Sequence, residues 1–296
     1  MERIGIIGAG RAGSAVGAAL ASAGHPVTGV SARSRASLDR AALLLPHVPV
    51  LAPDEVTSRA DVVVLAVPDD RIGTVAAALP LTPDQYVVHL SGAHGLAVLG
   101  ATPATPVALH PPMTFPGGPV DLSGVTFTAT APAAATDFVE RLVKGLGAGI
   151  QWVAEEQRAR YHAGLVHGAN HLTTLVSQAY DVLLEAGVTD PVAALRPLLS
   201  ATLDNTLRSG HDALTGPIAR GDVDTVAAHL AALRGRTAST YAELARATVE
   251  RVTQDQRIDA ATAERFAQLL DGQQDRLEQD QRQQVLERDR TGEAPR

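Results

Sequence analysis

The stretch Ile4-Gly5-Ile6-Ile7-Gly8-Ala9-Gly10-Arg11-Ala12-Gly13 decides how the rest of the chain is read. A short apolar run ends at Gly8, and a helical pattern opens at Arg11 and continues through Val16 and Leu20. Between them the glycines fall as G-x-G-x-x-G, and each has a mechanical reason. Gly8 turns tightly out of the strand, Gly10 lets the backbone approach a pyrophosphate, and Gly13 lets helix and strand pack closely. The diphosphate of a dinucleotide then rests on the helix N-terminus, where free N–H groups and the helix dipole favour an anion. Gly8, Gly10, Arg11, Ala12 and Gly13 are therefore the expected phosphate cradle.

Working outward, residues 1–153 alternate between strand and helix patterns. Strands are expected at Arg3–Ile7, Pro26–Ser31, Asp61–Val67, Tyr86–Leu90, Val107–Leu109, Val125–Ala129 and Ile150–Val153. Helices are expected at Arg11–Ala23, Arg35–Leu45, Arg71–Leu79 and Ala133–Leu146. Runs such as Asp61-Val-Val-Val-Leu-Ala-Val67, apolar throughout, suit a parallel sheet covered on both faces. The expected fold is an α/β doubly wound Rossmann domain, whose ligands lie at the carboxyl ends of the strands. Past Val153 the pattern is helical only. Glu155 to Glu185 reads as one long helix with a core stripe of Tyr161, Leu165, Ala169, Leu172, Val176, Ala179 and Leu183. A second helix follows at Pro191–Arg208, and helices continue to about Leu270. The expected division is a dinucleotide-binding domain at 1–153, an all-α domain at 154–271, and a polar, frayed or disordered tail at 272–296.

Residues at the strand ends carry the chemical reading. An acid commonly sits about 20 residues beyond the glycines to hold the ribose 2′-hydroxyl. This chain has Ser31-Ala32-Arg33-Ser34-Arg35 there instead. Ser31, Arg33 and Arg35 suit a 2′-phosphate, so the expected cofactor is NADP (NADPH) rather than NAD. Val67 and Pro68 close the third strand and Ser91 follows the fourth, all expected near the nicotinamide half. Asp69 or Asp70 reads as a cap of the next helix rather than a catalytic group. His89 and His94 flank Ser91, and His110 is held extended by Pro111; these histidines suit either chemistry or satisfied loop packing. On the long helix, His162, Val166 and Asn170 share one flank, and His167, His171, Thr174 and Gln178 another. Histidines four residues apart can bind metal, yet there is no cysteine and no H-E-x-x-H, so no metal site is expected.

Bulk properties narrow the classes. The 296 residues are 45% hydrophobic and 19% charged, enough for a substantial core. With no cysteine, disulfides and thiolate chemistry are excluded. A formal charge of −7 argues against a nucleic-acid partner. No apolar run reaches the ~18 residues of a membrane span, and no signal peptide is apparent, so a cytoplasmic protein is expected. The single lysine is Lys144.

The whole arrangement resembles the 6-phosphogluconate-dehydrogenase-like superfamily. Within it, the chain is most similar to Rossmann-like proteins with a C-terminal domain of unknown function 2520. The matching residues are Gly8–Gly13, Val67-Pro68-Asp69, His89-Leu90-Ser91-Gly92, Leu109-His110-Pro111, Tyr161-His162 with Asn170, and Leu214 through Asp222. The resemblance implies an NADP-type cofactor and a homodimer built on the helical domain. Some relatives use a lysine and an asparagine one helical turn apart. Asn170 matches the asparagine, but Val166 stands at the lysine position, so a lysine acid is ruled out. The expected catalytic residues are then His162, Asn170 and His110, with Tyr161 as a further proton source. Tyr161, Thr215 and Arg220 are expected to meet a small-molecule substrate, Arg220 and Arg160 offering cations for a carboxylate. The expected function is an NADPH-dependent reductase of a small carbonyl or imine, a 2-keto acid such as ketopantoate among them. The alternatives are a non-catalytic NADP-binding sensor or partner protein, and a deazaflavin-linked NADP oxidoreductase.

Overall fold

The computed structural model describes residues 1–273; the expected tail beyond Gln273 lies outside the described residues. The first unit, Met1–Leu172, is built on a seven-stranded sheet. Its strands are β1 (Ile4–Ile7), β2 (Val27–Ser31), β3 (Val62–Leu65), β4 (Tyr86–His89), β5 (Thr105–His110), β6 (Thr126–Thr130) and β7 (Gly149–Trp152). They lie in the order β2-β1-β3-β4-β5-β6-β7. All seven sequence-expected strands are present, and β1 to β5 run parallel. Helices α1 (Arg11–Ser22), α2 (Arg35–Leu44), α3 (Pro53–Ser58), α4 (Ile72–Ala78) and α5 (Thr136–Gly145) cover it.

Strands β1 and β3 carry no polar side chain because both of their faces are covered. Ile4, Ile6, Val62 and Val64 pack with Val16, Leu20 and Phe138 of α1 and α5. Their neighbours Ile7, Val63 and Leu65 point the other way, against Val56, Ile72 and Ala76 of α3 and α4. The fold is thus the expected doubly wound α/β sheet. One seam departs from parallel pairing: β5 and β6 are antiparallel, with Ala108 opposite Thr130 and His110 opposite Thr128. The alternating pattern Val125-Thr-Phe-Thr-Ala129 reads the same in either direction, so its sequence carried no sign of the reversal.

The expected long helix is interrupted. A 3₁₀ turn at Glu155–Gln157 leads into α6 (Arg158–Leu165), then a π-helical turn at Val166–Asn170, then α7 (His171–Glu185). A π turn inserts an extra residue, so four-residue steps across it no longer track one face as in a pure α-helix.

The second unit begins at Thr173. It contains the rest of α7, α8 (Pro191–Ser209), α9 (Val223–Ala232), α10 (Gly235–Gln254) and a helix over 260–273. Its core joins Ile218, Val226, Leu230, Ala242, Val249, Phe266 and Leu270. Gly221, at φ 72°, turns the chain before α9, and Asp222 caps that helix by accepting from the Thr225 N–H at 3.0 Å. The stripe expected to be core on the long helix is not: no residue of α7 is buried, and only Pro191 of α8 is. Periodicity marks an apolar face but not what covers it.

Candidate functional site

The glycine turn has the geometry its sequence requires. Gly8 adopts φ 104°, and a Cβ there would lie 2.7 Å from the Ala66 carbonyl oxygen. A Cβ on Gly13 would lie 2.1 Å from the Gly8 carbonyl oxygen, so only glycine lets α1 come this close to β1. Gly10 is different: the nearest atom to an added Cβ is 3.8 Å away, leaving open space over the helix start. Gly10 is also the N-cap of α1, with no side-chain cap and no acid in the first turn. The free N–H groups at Gly10–Gly13 thus face a space fit for a diphosphate.

Ser31 braces this turn from β2. Its hydroxyl accepts from the Gly8 N–H at 3.1 Å, and its carbonyl accepts from the Ala9 N–H at 2.9 Å. Ser34 caps α2, accepting from the Ser37 N–H at 3.2 Å. Arg33 is exposed. Arg35 is also exposed and pairs with Asp39 at 3.0 Å. Arg40 was not singled out from sequence. Its Nε donates to the Ala9 carbonyl at 3.3 Å, which brings a guanidinium beside the glycine turn. Its signal was available: on a helix starting at Arg35, position 40 falls next to the buried stripe of Ser37 and Ala41.

At the carboxyl ends of β3 and β4, Pro68 starts a turn and Asp69 follows. Asp69 makes no helix cap. Instead its carboxylate accepts from the Ser91 hydroxyl at 2.7 Å, tying the two strand ends together. The same hydroxyl lies 3.0 Å from His94 Nδ1, which must donate to it because the serine proton is already given to Asp69. His89 is fully buried; its Nδ1 accepts from the Ser91 N–H at 3.3 Å and its Nε2–H donates to the Gly95 carbonyl at 2.9 Å. Burial holds its pKa down to about 4, so it is a neutral latch for this loop. Glu155 completes the clamp by accepting from the N–H groups of Leu96 and Ala97 at 2.7 and 3.0 Å.

At the end of β5, His110 Nδ1 lies 2.7 Å from the Tyr161 hydroxyl of α6. The His162 ring stands edge-on to His110 with centroids 6.3 Å apart. Gly92 makes room for both: a Cβ there would come within 2.8 Å of His162 and 3.0 Å of His110. Burial, then His162 and Arg158, lower the His110 pKa to about 4, so its ring is neutral at pH 7. Burial raises the Tyr161 pKa, opposed by the Thr128 hydroxyl and Arg158.

Beneath this group lies Arg158, also missed from sequence because an arginine at a helix start normally reads as solvated. It is 1% exposed. Its Nε donates to Thr130 Oγ1 at 2.8 Å, and its Nη2 donates to the carbonyls of Ala108 and Thr128 at 2.8 and 3.3 Å.

The structure therefore brings His110, Tyr161 and His162 together at the end of β5. Asn170 is exposed on the π turn. Thr215 and Arg220 belong to the second unit, where Thr215 lines a cavity of about 540 Å³ with Leu175, Val182, Ile218 and Tyr241, and Arg220 is exposed. His167 and His171 face each other at 3.2 Å on the surface.

Residues 2–111 match the model of a Rossmann-like domain, and residues 125–248 match the domain of unknown function DUF2520. Among solved structures, a candidate NADP oxidoreductase from Bacteroides fragilis is 21% identical with a TM-score of 0.72, over 83% of this chain and 97% of that one. A Thermotoga maritima protein is 21% identical with a TM-score of 0.68, over 86% and 99%. The pyrroline carboxylate reductase of Plasmodium falciparum, with NADP bound, is 14% identical with a TM-score of 0.55, over 90% and 98%. No curated protein matches the chain. At these identities the likeness is one of fold. The chain thus joins a segment that matches the Rossmann-like domain to one that matches DUF2520, on a fold similar to that of NADP oxidoreductase-like structures.

Proposed function

We propose that the protein is an NADPH-dependent reductase of a small carbonyl or imine substrate. The observation that carries this reading is the Tyr161–His110 hydrogen bond, with His162 beside it, at the same carboxyl-terminal end of the parallel strands as the glycine cradle. Gly8, Gly10, Gly13 and the α1 N-terminus would hold the diphosphate. Arg33 and Arg40 would meet the 2′-phosphate, with Ser31 bracing the turn and Arg35 in reserve beyond Asp39. Val67, Pro68 and Ser91 would border the nicotinamide. When bound, the reduced cofactor supplies a hydride to the substrate carbon. The chain's own residues must then hold the substrate oxygen or nitrogen and give it a proton, which is the chemistry of a phenol and imidazoles partly shielded from water.

In this reading residues 1–153 bind the cofactor, and residues 154–271 contribute substrate and dimer surfaces, with Asn170, Thr215 and Arg220 as substrate contacts. The dimer rests on a physical argument. The 19-residue α8 exposes Leu198, Leu203 and Leu207 at 63%, 50% and 78%, and Leu184 of α7 and Leu244 of α10 are also exposed. Most helical stability in proteins comes from packing of an apolar face, and a second copy would cover these leucines with the same surface. The test is NADPH consumption by the purified protein against a panel of 2-keto acids and cyclic imines. Turnover with one class supports the reading, and tight NADPH binding without any turnover favours the non-catalytic one.

A further inference from the structure

A buried guanidinium with no carboxylate in direct contact, Glu155 acting on it only from a distance, calls for a reason. The three hydrogen bonds of Arg158 go to one hydroxyl and two carbonyls, Nη1 has no protein partner, and no carboxylate ion-pairs with it among the described residues. Bringing such a charge out of water costs several kcal/mol before compensation, and a neutral residue would brace the β5–β6 seam without that cost. Position supplies the reason. Arg158 spans Ala108 and Thr130, which face each other across the seam, and Tyr161 lies one helical turn further along α6. Tyr161 meets the next facing pair, His110 and Thr128.

Building on the reductase reading, we infer that Tyr161 is the proton donor and that Arg158 is its positioning residue, a fixed positive charge set beneath the phenol to stabilise the phenolate. The Tyr161 O–H bond breaks as the hydride reaches the substrate carbon. Its proton passes to the substrate oxygen or nitrogen, and the electron pair stays on the phenol oxygen. Neutral His110, protonated at Nδ1, donates to that oxygen before and after the transfer, and the Thr128 hydroxyl assists. His110 itself is the poorer donor, because a neutral imidazole gives up its remaining proton reluctantly. The charged and titratable groups around the phenol are His110 from β5, Arg158 and His162 from α6, and more distantly His89, Asp69 and Glu155. All three histidines and Asp69 are retained in the variants below, so Arg158 is the only charge that changes.

The test reads Tyr161 directly, without cofactor or substrate. Protein labelled with 3-fluorotyrosine gives one fluorine resonance for each of its 4 tyrosines, and Tyr161→Phe identifies the relevant one. Its titration midpoint is expected to rise by at least ~1 pH unit in Arg158→Met and to return most of the way in Arg158→Lys. Thr130→Val, which weakens the seam but keeps the charge, is expected to lower stability and leave the midpoint in place. An unchanged midpoint in folded Arg158→Met overturns the proposal. Should that variant not fold, equal midpoints in Arg158→Lys and Arg158→Gln overturn it. In the activity arm, Tyr161→Phe is expected to lower kcat by ~10²-fold with NADPH affinity retained, and retained turnover overturns the donor assignment. Absence of turnover in the wild type overturns the reductase reading itself, a failure distinct from the fluorine result.

Discussion

Two alanine substitutions, at Gly10 and at Gly13, separate folding from binding in the glycine turn. In Gly13→Ala the new methyl would lie 2.1 Å from the Gly8 carbonyl oxygen and 2.7 Å from Ala66 Cβ. Neither neighbour is the end of a flexible side chain, so the helix or the turn must shift. Alanine gains about 1 kcal/mol of helix propensity over glycine, but overpacking of this kind costs about 1–3 kcal/mol or more. With both contacts this short the upper end of that cost applies, and we expect a net loss of about 2 kcal/mol, together with loss of NADPH binding. Gly10→Ala is the counterpart. Its φ of −69° and ψ of −175° suit any residue, and the nearest atom to the methyl is 3.8 Å away. Stability should change by less than about 1 kcal/mol, while NADPH affinity falls at least ~10-fold because the methyl occupies the diphosphate's space. Urea unfolding followed by circular dichroism gives the first quantity, and NADPH fluorescence titration gives the second. Wild-type stability in Gly13→Ala would refute the packing argument, and unaltered NADPH affinity in Gly10→Ala would refute the cradle.

Other expectations follow from the same structure. His89 and His110 are held near pKa 4 against 6.5 for an ordinary histidine. Between those values the unfolded chain takes up protons that the folded chain refuses. Stability is therefore fully present above pH 6.5 and falls as pH drops toward 4, by up to about 3 kcal/mol per histidine; a flat pH–stability curve across that window would contradict the burial of both rings. NADPH should bind more tightly than NADH by at least ~1.5 kcal/mol, about tenfold. Arg40→Ala should erode that preference, and equal affinities in the wild type would remove the 2′-phosphate site. Sedimentation at micromolar concentration should show a dimer that the pair Leu203→Ser and Leu207→Ser weakens; a wild-type monomer would leave the exposed leucines unexplained.

What the sequence made legible is what sterics and periodicity dictate. Gly8 and Gly13 were readable because no other residue fits their turn, and Val62–Leu65 because a strand covered on both faces must be apolar throughout. Helix α3 was passed over although Pro53 followed by Asp54 and Glu55 is a helix-start signal. The reversal at β6, by contrast, depends on chain direction, which an alternating pattern of Thr with Phe and Ala does not encode. The π turn at Val166–Asn170 was invisible because the apolar residues of 161–183 recur at ordinary α-helical steps straight through it, although the turn shifts the face they occupy. His110 and Tyr161 were found as single candidates, but their hydrogen bond depends on the β5–β6 register, and the burial of Arg158 depends on the same seam. Residues whose role comes from pairing across a sheet are hidden until the pairing is known.

The central claim is that this chain transfers a hydride from NADPH and a proton from its own Tyr161. The most direct measurement is single-turnover transfer of deuterium from NADPH labelled at the nicotinamide C4 into the products of a carbonyl and imine panel, read by mass spectrometry. The account predicts deuterium on the reduced carbon with wild-type protein, and a rate lower by ~10²-fold with Tyr161→Phe at unchanged NADPH affinity. Saturating NADPH binding with no deuterium in any product, or equal rates for the two proteins, would contradict it.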